Sequence, residues 1–310
     1  MFKTLFGPVP SRRLGISLGI DLVPYKFCSM DCIYCECGPT TDLIFKRDEY
    51  VKLEIVKDEL KKYFDENPLP DYCTFSGSGE PTLNSKIGKV IDFLKKNYPV
   101  KIALLTNSTF LWDKKLRNEL SGLDLILPSL DAAREVTMNK INRPHDGISP
   151  DLIIEGLIKF REETNVEMWL EVFILEGVND GEEDLLSLKD TILKIKPHKI
   201  QLNTLDRPGA VEGLKPASKK RLFEIVSFLG FENVEIISKF RDRREIPSYS
   251  GDIENLIYST IKRRPCTIED LISITKLNVS EINKYLDVLE KDGKVLTLMG
   301  ERGVFFKVAK

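Results

Sequence analysis

No apolar run in this 310-residue chain approaches the ~20 residues that a membrane-spanning helix needs, so no span is expected. Gly7-Pro8 cuts the opening residues too early for the apolar core of a signal peptide, and the expectation is a soluble cytoplasmic protein. Charge of one sign is not in excess: 46 Lys+Arg face 48 Asp+Glu, a net charge of −2. That excludes an overall field that attracts nucleic acid and leaves only a local patch for the purpose. Cysteine is scarce, six in all, too few for a disulfide scaffold at this length. Internal repeats and low-complexity tracts are also missing, so a repeat array is not expected. What remains is an ordinary globular composition, 42% hydrophobic and 30% charged. The length suits one large domain of ~200–250 residues plus a small one.

Over the first 240 residues, short apolar runs alternate with amphipathic stretches. Strands are expected at 16–22, 72–76, 100–106, 123–128, 166–175, 199–203 and 234–237. Several are near-continuous in apolar residues, as strands covered on both faces are. Helices are expected at 48–64, 85–97, 132–141, 150–163, 182–195 and 217–229. In the first of these, Val51, Ile55, Val56, Leu60 and Phe64 share a face. A repeated βα pattern predicts a parallel sheet, curled or open, with functional residues at the C-terminal ends of its strands. Residues 241–251 are charged and then rich in turn formers, which reads as a linker between a domain at 1–240 and a smaller one at 252–310. In the smaller domain Thr267 and Asp270 form a capping-box variant, Ser280 is a candidate cap, and Val279, Ile282, Leu286 and Leu289 recur at helical spacing. Residues 295–299 and 304–308 flank a turn. Helix, helix, turn, helix and ribbon resembles a winged helix-turn-helix domain.

Four cysteines fall within ten residues: Cys28, Cys32, Cys35 and Cys37. Cys28-Ser29-Met30-Asp31-Cys32-Ile33-Tyr34-Cys35 is a C-x3-C-x2-C motif. In a reducing compartment such clustering reads as a metal site or redox chemistry. Three thiolates on one short loop can hold three irons of a cubane [4Fe–4S] cluster and leave the fourth open to another ligand. The alternative is zinc with Cys37 as fourth thiolate, although zinc sites favour paired C-x2-C spacings.

The motif, with Tyr34 before its third cysteine, resembles the signature of the radical SAM superfamily. That resemblance implies an α/β fold, a partial (βα)6 barrel, followed here by the winged-helix-like domain. It implies that Cys28, Cys32 and Cys35 ligate a [4Fe–4S] cluster whose open iron chelates S-adenosyl-L-methionine (SAM). Electron transfer then cleaves the sulfonium C–S bond to give a 5′-deoxyadenosyl radical, which takes hydrogen from the substrate. Tyr34 would lie near the adenine. Gly77-Ser78-Gly79-Glu80-Pro81 would receive the methionyl ammonium, its glycines admitting the backbone to the ligand; taken alone the segment would be a turn. Thr106, Asn107, Ser129 and Asp131 fall at strand ends where the family places polar contacts to ribose and methionyl carboxylate, strand-end capping being the alternative. Ile174, in a stretch that resembles the fifth-strand adenine motif, would meet the adenine. Gln201 and Asn203 close the sixth strand and would point to the same mouth.

Within the superfamily the chain is similar to the group related to tRNA wyosine-base synthases. The residues that carry this are Gly7-Pro8-Val9-Pro10-Ser11-Arg12-Arg13-Leu14-Gly15, Gly19-Ile20-Asp21-Leu22-Val23-Pro24, the cysteine loop, Ser76-Gly77-Ser78-Gly79-Glu80-Pro81-Thr82-Leu83, Pro128-Ser129-Leu130-Asp131-Ala132-Ala133 and Asn142-Arg143-Pro144-His145. Wyosine synthases carry further cysteines upstream for a second cluster; this chain has none before Cys28. The implied substrate is tRNA or another RNA. A peptide or protein gripped by the C-terminal domain is the alternative, and an iron–sulfur redox sensor that binds DNA a lesser one. The implied reductant is a ferredoxin or flavodoxin. Arg12, Arg13, Arg143 and His145 are candidate contacts to a substrate phosphate or carboxylate, with ion pairing or loop structure as the alternatives. Lys239, Arg241, Arg243 and Arg244, with Lys262, Arg263 and Arg264, are a candidate basic patch. Cys37 is expected neither to ligate nor to donate hydrogen, and Cys73 to pack as a small hydrophobe.

Overall fold

The computed structural model describes residues 2–11, 13–237, 253–275, 277 and 279–309. Arg12, the linker expected at 241–251, Lys239 and the side chain of Ser280 lie outside the described residues. The strands are β1 Leu5–Ser11, β2 Gly15–Ile20, the two-residue β3 Phe27–Cys28 and β4 Asp42–Leu43, β5 Tyr72–Phe75, β6 Lys101–Thr106, β7 Leu125–Pro128, β8 Glu167–Ile174, β9 Lys199–Thr204 and β10 Val234–Ile236. Between them run α1 Leu53–Glu66, α2 Ile87–Asn97, α3 Lys114–Glu119, α4 Glu135–Ile141, α5 Pro150–Glu163, α6 Glu182–Ile195 and α7 Lys219–Leu229. Eight strands form one sheet in the order β1-β2-β5-β6-β7-β8-β9-β10. β1 is antiparallel to β2 and every later neighbour is parallel. A sheet of this order with crossover helices is consistent with a partial barrel.

Alternate residues of each strand serve two cores. Leu18, Cys73, Ile102, Leu170 and Leu202 pack against the helices, meeting Leu60, Ile91, Leu157 and Ile225 in one large cluster. Fully burying each such Leu or Ile stabilises by ~1.5–3 kcal/mol. The opposite face carries a smaller apolar cluster of Leu14, Ala103, Leu125 and Leu127. Beside it, Arg13 pairs with Glu171 and donates to Gln201 Oε1 at 3.2 Å, while Gln201 Nε2 donates to Glu235 at 2.5 Å.

Three differences from the expected elements have local causes. β1 was not expected, because Gly7, Pro8 and Pro10 erase its alternation; as an edge strand bulged between Phe6 and Val9 it tolerates residues without an N–H. α1 begins at Leu53 because Asp48 is tied to another loop, its N–H bonding Leu83 O and its carbonyl accepting from Ser85 N. α3 is too short to show periodicity; Asp113 caps it through Lys115 N at 2.9 Å.

The C-terminal residues form α8 Ile253–Arg263, α9 Ile268–Thr275, α10 Val279–Lys291 and the antiparallel pair β11 Val295–Gly300 and β12 Gly303–Val308. Ile257, Ile261, Leu271, Ile282, Leu286, Leu289 and Phe306 build a separate core. The capping box is present: Thr267 N donates to Asp270 Oδ2 at 3.0 Å and Asp270 N to Thr267 Oγ1 at 3.2 Å. α8 and α9 pack against β1, which ties this unit to the edge of the large sheet. Among the described residues no helix is long and apolar enough to cross a membrane.

Candidate functional site

The candidate segments follow the C-terminal ends of neighbouring parallel strands. The cysteine loop comes after β2, Gly77–Glu80 after β5, Asn107 after β6, Ser129 and Asp131 after β7. Parallel strands of similar length bring these ends to one edge, so the topology assembles the site.

The cysteine loop has little regular structure and is held from outside. Asp31 N donates to Asn142 O at 3.0 Å, Ile33 N to Ile141 O at 3.0 Å and His145 N to Ser29 O at 3.0 Å. Asn142-Arg143-Pro144-His145 is therefore a backbone cradle for the cysteines. Arg143 takes a left-handed conformation and stands 3.8 Å from Asp31, both partly in solvent; a pair of that kind contributes little. His145 Nδ1 is buried without a partner.

Each motif sulfur faces a nitrogen donor of its own. Asn107 Nδ2 lies 3.5 Å from Cys28 Sγ, Asn142 Nδ2 3.4 Å from Cys32 Sγ and Lys26 Nζ 3.1 Å from Cys35 Sγ. Burial pushes the Cys28 thiol up to about 12 and Cys32 well above its usual range. Cys35 goes the other way, to about 6, through its hydrogen bond with Cys37 and the Lys26 charge, against its burial. Among the described residues no three His, Cys, Asp or Glu side chains converge on a single metal ion. The donor set fits the sulfur-rich group expected here: N–H groups directed at ligating sulfurs stabilise their negative charge. Cys28, Cys32 and Cys35 would hold it.

Tyr34 stacks on Phe173 with ring centroids 3.9 Å apart, and its hydroxyl donates to Asp131 Oδ2 at 2.5 Å. Asp131 also accepts from Asn142 Nδ2 at 2.7 Å and Phe173 N at 2.9 Å. Burial raises its carboxyl to about 6, with these donors pulling the other way. The expected capping alternative thus describes Asp131 well, since it braces Tyr34 and the amide that reaches Cys32. Glu80 is similarly engaged: Thr82 N and Oγ1, Thr106 Oγ1 and Asn107 N all donate to it, at 2.6–3.0 Å. Burial raises its pKa against the pull of those donors. The two glycines answer to protein packing. A Cβ on Gly79 would sit 1.9 Å from Phe27 O, and one on Gly77, at φ +147°, 2.2 Å from Asp21 Cγ. Asp21 in turn accepts from Ser78 N at 3.1 Å and Ser78 Oγ at 2.9 Å.

Ser129 joins this edge through an isolated bridge to Glu171, and its carbonyl accepts from Ser108 Oγ at 2.8 Å. Ile174 is fully buried and its carbonyl accepts from Thr204 Oγ1 at 2.7 Å; the ring beside Tyr34 belongs to its neighbour Phe173. Gln201 is fully buried in the Arg13–Glu171 network, whose Glu171 is the bridge partner of Ser129, and Asn203 is nearly fully buried. For Arg13 the geometry supports the ion-pair alternative. Arg263 does not join an exposed basic surface: its guanidinium lies 4.2 Å from the Phe6 ring, and its Nε is buried and unpaired. Cys37 Sγ donates to Arg263 O at 2.6 Å. Cys73 is fully buried, its thiol raised by that burial to about 12, as a packing residue should be. Lys26, Asp21 and Phe173 were missed as site residues. Asp21 and Asn142 lie inside the family-like motifs and Phe173 in the stretch that resembles the fifth-strand adenine motif, whereas Lys26 carries no signal without the fold.

The sequence model described as Radical SAM superfamily matches residues 22–188. The chain is 33% identical over 304 residues to the UPF0026 protein of Methanocaldococcus jannaschii, covering 94% of each. It is 23% identical over 264 residues to the Dual-specificity RNA methyltransferase RlmN of Nitratidesulfovibrio vulgaris, covering 82% of this chain and 71% of that protein. Among solved structures, a radical SAM methyltransferase from Sphaerobacter thermophilus matches with a TM-score of 0.56 and 15% identity, over 71% of this chain and 65% of that one, a likeness of fold.

Proposed function

The chain belongs to the radical SAM superfamily, in its UPF0026 group, and from that premise we propose that it modifies RNA by hydrogen abstraction at the cysteine edge of the sheet. It is an iron–sulfur enzyme of a family that uses a [4Fe–4S] cluster and SAM. The bound cofactors supply an electron and, from SAM, a 5′-deoxyadenosyl radical. The protein's part is to hold and orient. The observation that carries the reading is the set of three nitrogen donors, Asn107, Asn142 and Lys26, each directed at one cysteine sulfur.

In this reading Cys28, Cys32 and Cys35 hold the cluster. The backbone of Gly77–Glu80, with Tyr34, Thr106, Asn107 and Ser129, lines the SAM site. Glu80 and Asp131 shape that lining, and Ile174 contributes backbone. Arg143 and His145, with the buried Gln201 and Asn203 on β9, remain substrate candidates. Residues 252–310 act as a winged-helix-like domain that grips the substrate, and a ferredoxin or flavodoxin supplies the electron in the cytoplasm. RNA is favoured over a peptide by the likeness to a protein named as an RNA methyltransferase. The relation to wyosine synthases rests on the shared motifs alone.

The test is anaerobic reconstitution with iron and sulfide, then dithionite and SAM, with and without unfractionated tRNA or ribosomal RNA. Formation of 5′-deoxyadenosine above a Cys32→Ala control is expected, together with a new mass in the nucleoside digest of the RNA. No nucleoside change alongside abundant 5′-deoxyadenosine would eliminate RNA and leave the peptide reading.

A further inference from the structure

Arg207 follows β9 in a segment pressed between the cysteine loop and the C-terminal unit. Its side chain is fully buried. One end of the guanidinium stands 3.3 Å from Glu36, the residue after Cys35, and the other 3.3 Å from Asp270 at the start of α9. Arg302, in the turn between β11 and β12, braces Asp270 at 3.2 Å and Asp206 at 3.1 Å. The segment touches the loop directly as well. Val211 N donates to Ile33 O at 3.0 Å, and a Cβ on Gly209 would approach Ile33 O and Tyr34 Cα to 3.0 Å.

A buried guanidinium is a poor device for stability alone. Its desolvation offsets most of the attraction, and apolar residues of like volume usually serve as well. Here the fit is also incomplete, because Arg207 Nε finds no acceptor. What an arginine does that an apolar side chain cannot is fix two carboxylates from separate units in one plane through its rigid fork. Asp270 is committed on its other side to the α9 cap through Thr267 N. The contacts therefore run without a gap from the C-terminal helix to the residue beside Cys35.

We propose that Arg207 is a positioning residue that couples the C-terminal unit to the cysteine loop, so that seating of α9 sets the order of the loop carrying the cluster ligands. The coupling is reciprocal: loading the cluster tightens α9, and whatever moves α9 loosens the loop. Only the iron measurement below rests on the cluster reading.

The deciding variant is Asp270→Asn, which lies outside the cysteine loop and keeps an oxygen for the Thr267 cap; Arg207→Met and Arg207→Lys accompany it. Hydrogen–deuterium exchange is read on the full-length apo chain and on the reconstituted holoenzyme. Iron release to a chelator is read on the latter. In Asp270→Asn, amides 33–38 and Val211 should exchange about tenfold faster, with α2 and α5 unchanged. Iron release should quicken by about threefold. Arg207→Met should match or exceed these changes, and Arg207→Lys should fall between it and wild type. Unchanged exchange at 33–38 in Asp270→Asn overturns the coupling, as does equal acceleration in α2 and α5, which marks a global loss of stability. Faster exchange with unaltered iron release overturns the positioning of the ligands. A wild-type chain that takes up no iron sinks the cluster reading alone and leaves the exchange result to be judged on the apo chain.

Discussion

Replacing Tyr34 by Phe removes one hydroxyl and tests the brace beneath the cysteines. The ring stays stacked on Phe173, so packing changes little. Asp131 loses the donor at 2.5 Å and keeps Asn142 Nδ2 and Phe173 N. A hydrogen bond to an ionised group is worth ~1.5–3 kcal/mol, one to a neutral group ~0.5–1.5. Burial places the Asp131 carboxyl at about 6, so it is ionised at pH 7.5 and mostly protonated at pH 5. A carboxyl raised above its unfolded value favours the fold below that value and loses this contribution as pH rises through its folded pKa. Tyr34 pulls the folded pKa down, so its removal raises it further, and the variant loses stability more steeply as pH passes 6. The destabilisation should be ~2 kcal/mol at pH 7.5 and about half that at pH 5. Urea unfolding of the apo chain followed by tryptophan fluorescence reads it, since both tryptophans, Trp112 and Trp169, lie in the large domain. Equal destabilisation at the two pH values would show that Asp131 does not titrate against Tyr34 and would refute the brace.

Gly79→Ala forces a methyl group to within 1.9 Å of Phe27 O, so the Gly77–Glu80 loop must shift. SAM affinity, read by equilibrium dialysis on the reconstituted enzyme, should fall at least about tenfold, and stability by ~1–3 kcal/mol; a silent substitution would mean that the loop does not line the site. Lys26→Met removes the ammonium 3.1 Å from Cys35 Sγ. Its Cys35 thiol should titrate upward in the apo chain, and iron release from the holoenzyme should quicken by about 10-fold or more, with secondary structure by circular dichroism unchanged. Thr267→Ala deletes half of the α9 capping box and should cost ~1 kcal/mol. That loss should appear as faster amide exchange in α9 and leave the exchange of α5 as it is.

The parts of the fold that the sequence made legible are those with strong periodicity. β5 through β9 and α5 through α7 lie where apolar runs and amphipathic spacing put them, because each buries a continuous face in the same core. β1 was not legible, since a proline-containing edge strand satisfies its geometry through one neighbour and shows no alternation. The superfamily was legible from the cysteine loop, because the spacing of its cysteines is a local signal. The roles of Glu80, Asp131 and Arg13 were less so. A carboxylate at a strand end reads alike whether it awaits a ligand or is already saturated by Thr82, Thr106 and Asn107, and only tertiary contacts separate the two. Arg207 and Arg302 carry no periodic signal at all, and their partners lie up to 171 residues away in the chain.

The same distinction explains why Glu80 and Asp131, close to the cysteines, are already saturated by protein donors. Ordering a loop residue costs ~1–2 kcal/mol of backbone entropy, and a loop without helix or ladder bonds must recover that from its surroundings. Ser29 bonds Thr109 Oγ1 and Asn107 Nδ2, Asp31 and Ile33 bond the backbone of 141–143, and Ile33 O takes Val211 N. Three neighbours thus hold the loop from three directions, and each also presents or braces a group near a sulfur: Asn107, Asn142 and Arg207. A ligand trio needs its sulfurs held in place before iron arrives, because a floppy loop would lose that entropy on binding. The residues that make the motif recognisable are thus chiefly those that hold the sulfurs still.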